Sequence, residues 1–404
     1  MKSTLILMVL LISLGFRPAI AQHSGIQFYD GTFNDLKAKA AAEKKIIFID
    51  AFTTWCGPCK WMAKNVFTDL DVANFYNQNF VNAKIDMEKG EGIELAKAYN
   101  VQAYPSLLYL DAEGKVVHRT VGAIKGKEFI KLGMDAQNPD RNLMGLDKKF
   151  NSDPGAYPTA YAYISLLNEI SSPDKKIAFD SYFATQDKST WIESNNWRML
   201  YDFVKNPENP VFVYFKENRS RFSEKYTVDS VDAKLKEVYF GLVQQAAYDQ
   251  NNEQWESGKK AISELGIKGG DRFIASTTIV QAGDDPVLAN QRIVEFMTKF
   301  GSENPDELNE YAWRVFESSS EKSQLNLAES WAKKGLGLAP SNWMVTDTYA
   351  NLLFKNGKKA EAETQAQKAI KLGKKEGADV KGTEELLKKI KKSSVSAAKL
   401  KTKK

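Results

Sequence analysis

Residues 44–62 read KKIIFIDAFTTWCGPCKWM: a run of bulky apolar residues around Asp50, a pair of cysteines three positions apart, and the start of a segment with helical period. The run has the composition of a central strand covered on both faces. Cys56 and Cys59 are the only cysteines among 404 residues. They are a redox centre, half of a metal site, or an accident of composition. A structural zinc site takes four protein ligands, and the chain adds only His23 and His118, so a metal reading is disfavoured. An accidental pair is disfavoured by its position between strand and helix. There the first cysteine meets the unpaired N–H groups and the dipole of a helix N-terminus, which favour thiolate over thiol. The thiolate is the species that attacks disulfides.

Outward from this stretch, short apolar strands alternate with helices. IIFIDAF (46–52) reads as a strand, CKWMAKNVFTDLDVANFYNQN (59–79) as one helix, FVNAKIDM (80–87) as a second strand and GIELAKAYN (92–100) as a second helix. PSLLYLDAEGKVVHRTVG (105–122) is a strand, an Asp-Ala-Glu-Gly turn and an antiparallel partner, with a closing helix from about Lys127. This order makes one α/β layer of about a hundred residues. His118 and Arg119, on the second strand of the hairpin, are expected at the surface, and Trp61 is expected to pack inside.

The rest of the chain bounds the function. Its length exceeds what one hydrophobic core serves, so more than one domain is expected. A hydrophobic share of 43% with 26% charged residues is ordinary for globular protein. The net charge of +5 owes much to the last twenty residues, which carry eight lysines after Glu385. The body is near neutral, which gives no reason to propose nucleic-acid binding. The tail is expected to be a solvated, fraying end.

At the N-terminus, Lys2, an apolar run from Thr4 to Phe16 and Ala19-Ile20-Ala21 before Gln22 have the layout of a cleavable secretory signal. An exported protein, periplasmic or secreted, is predicted. No later stretch holds the roughly 18 consecutive apolar residues of a spanning helix, so no integral membrane segment is expected after cleavage. Structural disulfides in exported chains come as several widely spaced pairs. One pair closing so short a loop constrains little of the unfolded chain.

After NPDRN (138–142) helical periods dominate, broken at NPENP, GIKGGD and GDDP. LAESWAKKGLGLAP (327–340) aligns with EAETQAQKAIKLGK (361–374) at a constant offset of 34, pairing Ala328 with Ala362 and Ala332 with Ala366. Period and small residues resemble tetratricopeptide repeats, which stack helix pairs into peptide-binding grooves. The expected division is a signal at 1–21, an α/β domain at 22–137, a helical region at 138–300, repeats resembling tetratricopeptide units at 301–376 and a basic tail at 377–404.

Several motifs together carry a family resemblance. WCGPCK after the apolar strand, VQAYPSLLYLD (101–111) and VGAIKG (121–126) resemble the thioredoxin family in the same order, over about residues 25–137. The resemblance implies a thioredoxin-like α/β domain, a central mixed sheet flanked by helices, followed here by an all-α helical-repeat domain. It implies a Cys56–Cys59 redox disulfide with Cys56 as nucleophile and Cys59 as resolving thiol, and a cis peptide bond before Pro105. Asp50 would be the buried proton acceptor for Cys59, with burial raising its pKa. Trp55, Gly57, Pro58, Tyr104 and Pro105 would contact substrate. Two positions depart from the family pattern. Tyr104 stands where thioredoxins more often have a smaller or β-branched residue, and the lysine many place near the aspartate has Lys84 as its nearest candidate.

The leading functional expectation is an exported thiol–disulfide oxidoreductase that reduces or isomerises disulfides of client proteins, the helical module recruiting partners and the whole serving redox homeostasis. A membrane or soluble thiol donor would re-reduce it. No flavin or nicotinamide fingerprint occurs, and no cofactor is expected. The alternative is an interaction scaffold whose thioredoxin-like domain is a docking module; the intact Cys-Gly-Pro-Cys and Asp50 argue against it.

Overall fold

The computed structural model of the protein describes residues 25–401, and the side chains of residues 25–393. The expected secretory signal and His23 lie outside the described residues. The chain divides into two compact units, the first ending at Met199 and the second beginning at Leu200. The boundary expected near residue 137 separates two kinds of structure inside the first unit.

The first unit opens with α1 (Phe33–Glu43), capped by Thr32 and Asp35 in a reciprocal capping box. β1 (Ile46–Phe52) follows, then α2 (Gly57–Asn65), α3 (Leu70–Asn79), β2 (Phe80–Asp86), α4 (Gly92–Ala98), β3 (Ser106–Leu110), β4 (Val116–Val121) and α5 (Gly126–Gln137). The strands lie in the order β2-β1-β3-β4. β1 pairs parallel with β2 and antiparallel with β3, and β3 pairs antiparallel with β4, so the sheet is mixed. The single helix expected over 59–79 is two. Asp69 accepts hydrogen bonds from the N–H groups of Asp71 and Val72 and starts α3 afresh. In the hairpin turn Asp111 Oδ1 accepts from the N–H groups of Glu113 and Lys115, and Gly114 takes φ +90, a conformation that costs glycine little.

Side chains alternate across a strand, and β1 supplies both faces of the core. Ile47, Ile49 and Ala51 join Leu36, Leu95, Leu108 and Leu110 on the side of α1 and α4. Phe48 joins Met62, Tyr76, Tyr109 and Phe129 on the side of α2, α3 and α5. Tyr76 stacks on Phe129 with centroids 4.1 Å apart. Its hydroxyl lies 2.6 Å from that of Tyr109 and donates to the Phe129 carbonyl at 2.8 Å, so these buried polar atoms are satisfied. By the same alternation Asp50 falls on the face of Phe48, toward α2.

Helices complete the first unit: α6 (Leu143–Ser152), which lies against β4, α7 (Tyr157–Glu169), α8 (Asp174–Ala184) and α9 (Ser194–Phe203), whose last turn enters the second unit. Asn142 caps α6 by accepting from the Gly145 N–H at 2.7 Å and donates to the Ala136 carbonyl at the end of α5 at 2.9 Å. The junction is thereby tied down.

The second unit is all helical: α10 (Pro210–Glu217), α11 (Arg219–Lys225), α12 (Val228–Tyr248), α13 (Asn252–Glu264), α14 (Gly270–Gln281), α15 (Pro286–Phe300), α16 (Pro305–Ser318), α17 (Lys322–Leu338), α18 (Trp343–Lys355), α19 (Lys359–Lys375) and α20 (Lys381–Lys401). Consecutive helices pack as hairpins, α16 on α17 and α18 on α19. Ala328, Ala332, Ala362 and Ala366 are all fully buried, where small side chains let helices approach closely. The basic tail departs from expectation. Leu386 and Ile390 are buried in the cluster that holds Leu353 and Ala366, and buried Thr383 continues their stripe at helical spacing. Lys388, Lys389, Lys391 and Lys392 are exposed on the remaining face.

Candidate active site

Cys56 is the N-cap of α2, and its Sγ accepts a hydrogen bond from the Cys59 N–H at 3.1 Å. The two cysteines form a disulfide and are nearly buried. Between them Pro58 sits in the first turn of α2, where its missing N–H costs nothing. At Gly57 an added Cβ would meet nothing within 4 Å, so the backbone there borders open space.

Asp50 is completely buried, and neither carboxyl oxygen has a hydrogen-bond partner. Parallel pairing of β1 with β2 sets Asp50 opposite Lys84, whose Nζ stands 3.6 Å from Asp50 Oδ2. The same ammonium lies over the ring of Phe52 at 4.6 Å. Burial pushes the Asp50 carboxyl up to about 6, and Lys84 pulls against that rise. Lys84, the nearest candidate for the family's lysine, is thus the cation that faces the carboxyl.

The Tyr104–Pro105 peptide bond is cis. The loop is fixed by Gly122 N–H donating to the Pro105 carbonyl at 2.8 Å and Ser106 Oγ donating to the Ala103 carbonyl at 2.8 Å. Among the described residues the N–H and C=O of Tyr104 take part in no backbone hydrogen bond. The Tyr104 ring meets Trp55 edge to face at 5.9 Å. Trp55 is 65% exposed and donates its indole N–H to the Glu88 carboxylate at 2.9 Å.

Three features differ from the sequence expectations or escape them. Trp61 is exposed, because the inward face of α2 is taken by Cys59 and Met62. His118 is buried with Nδ1 unpartnered, beside Tyr109. Burial lowers its pKa to about 4, against Asp135, which raises it, and with Lys131, which lowers it further. Glu88 was not singled out. Its place depends on the register of β1 against β2, which pairs Phe52 with Asp86 and, continued two residues, sets Thr54 beside Glu88.

Comparison with known proteins places this geometry. A family model described as a Thioredoxin-like domain matches residues 33–137. Thioredoxin-1 of Drosophila melanogaster is 40% identical over 80 residues, 20% of this chain and 70% of that protein. The thiol:disulfide interchange protein DsbD of Colwellia psychrerythraea is 33% identical over 96 residues, 22% of this chain and only 16% of that protein. A solution structure from Bacteroides thetaiotaomicron, proposed to be a disulphide-isomerase, is 50% identical over 28% of this chain and 97% of its own, with a TM-score of 0.26. The chain spans most of the thioredoxin but a small part of DsbD. With its Cys-Gly-Pro-Cys disulfide at the start of α2, the chain belongs to the thioredoxin family and is a thiol–disulfide oxidoreductase.

Proposed function

We propose that the protein is an exported oxidoreductase that reduces or isomerises disulfides of client proteins, with its helical hairpins acting as tetratricopeptide-like elements that engage partners. The observation that carries the reading is the Cys56–Cys59 disulfide at a helix N-terminus, in a domain that also buries the Asp50 carboxyl without a hydrogen bond. The sequence layout at residues 1–21 supports export, and no helix among the described residues is long and apolar enough to cross a membrane.

In the reduced protein the Cys56 thiolate is stabilised by the α2 N-terminus and by the Cys59 N–H. It attacks one sulfur of a client disulfide. A bond forms between Cys56 Sγ and that sulfur, the client S–S bond breaks, and the second client sulfur leaves as a thiolate that takes up a proton. Asp50 accepts the Cys59 proton. The Cys59 thiolate then attacks Cys56 Sγ, breaking the mixed disulfide and releasing the second client thiol. Two electrons have passed to the client, and the chain is left with the Cys56–Cys59 disulfide seen in the structure. A dithiol donor, membrane-bound or soluble, restores it by the reverse exchange. Tyr104 and Pro105 present backbone to the client, and Trp55, Gly57 and Pro58 border the attacked bond.

Insulin reduction by the chain, with a dithiol as electron source, tests the reading. The wild type should turn over and Cys56→Ser should fall to the rate of the dithiol alone; equal rates for the two would overturn it. With Cys59→Ala the exchange should stall as a mixed disulfide, seen as a mass increase that a reductant removes.

A further inference from the structure

A cleft of about 730 Å³ lies where the loop before Pro105 and strand β4 meet α6, α7 and the start of α8. Its volume falls in the range of sites that bury a ligand of drug size. Ala103 and Val121 line its wall. They are also the neighbours of the Pro105 loop, through the Ser106 to Ala103 and Gly122 to Pro105 hydrogen bonds. The cleft is therefore continuous with the loop that faces a client, and the added helices build its far side.

The chemistry of the lining is one-sided. Leu143, Met144, Leu167 and Ile170 make an apolar surface, and Asp147, Glu169 and Asp174 stand around it. Asp147 is oriented by the Tyr163 hydroxyl, which donates to its Oδ1 at 2.7 Å. Glu169 and Asp174 are exposed. Arg119 is the sole cation of the lining, and its guanidinium is engaged at home, donating to the carbonyls of Tyr99 at 2.9 Å and Asn100 at 3.4 Å. Three carboxylates around an apolar floor against one cation leave the lining net negative, which complements a ligand that is apolar and positively charged.

We propose that this cleft is a client-selecting site, which takes an extended polypeptide segment carrying an apolar side chain next to a lysine or arginine, a few residues from the attacked cysteine. This rests on the reading of protein disulfides as substrates. The segment leaves the Pro105 loop, crosses Ala103 and Val121, and places its apolar side chain between α6 and α7 and its cation among Asp147, Glu169 and Asp174. The reaction centre stays that of a thioredoxin; the added helices set which clients reach it.

The test uses the full reduced chain and two peptides, each disulfide-linked through one cysteine to a chromogenic aryl thiol. They are identical except that one carries Leu-Arg and the other Leu-Glu a few residues from the cysteine. At low salt, kcat/KM should favour the Leu-Arg peptide by about tenfold, since rim charge pairs each contribute modestly, and the ratio should fall toward one as salt screens the rim. Charge reversal by E169K/D174K should bring the ratio to one or below, and the milder E169Q/D174N should give an intermediate value. The wild-type salt series decides the matter by itself if the reversed variant fails to fold. A wild-type ratio near one at every salt concentration, or a ratio unchanged in a folded E169K/D174K, overturns the cleft proposal while turnover of both peptides upholds the oxidoreductase. No turnover of either peptide above Cys56→Ser overturns the functional reading itself.

Discussion

Two buried charges, one in each compact unit, are treated in opposite ways. Lys234 of α12 is completely buried, and its ammonium donates to the carbonyls of Tyr201 and Val204 at 2.7 and 2.6 Å and to Glu237 Oε2 at 2.7 Å. All its donors are used. Two go to the C-terminal end of α9, where a cation also meets the negative end of the helix dipole. Asp50 is equally buried, yet its oxygens accept no hydrogen bond and its cation stands 3.6 Å away. Burial pulls Lys234 down to about 8, which leaves it charged at neutral pH, and pushes Asp50 up to about 6, where it changes state close to neutrality. A buried charge with full hydrogen bonding holds structure together; one without is ready to exchange a proton.

The sharpest way to break this comparison is to remove Lys234. Lys234→Ala takes the ammonium away from the Tyr201 and Val204 carbonyls and leaves Glu237 paired with Lys205 alone, and should destabilise the second unit by about 3–5 kcal/mol. Urea unfolding of the full chain, read with hydrogen exchange across residues 200–404, measures it. A loss under about 1 kcal/mol would show that Lys234 is tolerated rather than structural.

Asp50→Asn should do the reverse to stability and should harm function. The native carboxyl, at about 6 against an ordinary 3.8, binds its proton more tightly than the unfolded chain does. Stability therefore falls as pH rises from about 4 to 6 and stays lower above, by about 3 kcal/mol at ~1.4 kcal/mol per tenfold change in proton affinity. The asparagine variant escapes that loss and should be more stable at pH 8 by up to this amount. Its resolving step should slow by up to a hundredfold, and the fall of the wild-type rate as pH drops through about 6 should disappear. A variant that is both less stable and fully active would overturn the base assignment.

What the sequence made legible follows the same division. The succession of strands and helices along the chain, the cysteine pair, Asp50 and the Pro105 loop could be read because each depends on local pattern: an apolar run, a turn, a spacing. Glu88 and the pairing of Lys84 with Asp50 could not be fixed, because both depend on the register of β1 against β2, which no single segment carries. His118 misled because alternation on a hairpin says which residues share a face, while α5 and α6 decide that this face is covered. The tail misled through composition. Its lysines outnumber the apolar positions 386 and 390, yet two apolar residues one turn apart, with Thr383 before them, suffice to seat a helix on a neighbour.

His118 sharpens the comparison inside the first unit. Its native pKa is lowered to about 4, so the unfolded chain binds the proton more tightly and stability is lost as pH falls from about 6.5 toward 4. Asp50 gains over nearly the same window, so the two slopes oppose and the wild-type domain should be nearly flat there. His118→Gln removes one slope. Relative to wild type, the variant should gain about 2 kcal/mol on going from pH 7 to pH 5, read by urea midpoints at the two pH values. Parallel profiles for the two proteins would mean that His118 takes up its proton as readily in the folded chain as in the unfolded one.

The smallest effect belongs to Glu88, which orients Trp55 without being buried. Its hydrogen bond to the indole lies in solvent, where such a contact contributes about 0.5–1 kcal/mol, and the Tyr104 ring holds Trp55 from another side. On the proposed role of Trp55 in seating the client, Glu88→Ala should raise KM for a protein disulfide by about two- to fivefold and leave kcat near its wild-type value, because an indole takes no proton. Indole fluorescence should report greater freedom at Trp55. A fall in kcat of tenfold or more would place Glu88 in the proton path with Asp50, and the contrast between one unsatisfied carboxyl and its satisfied surroundings would have to be redrawn with two acids at the centre.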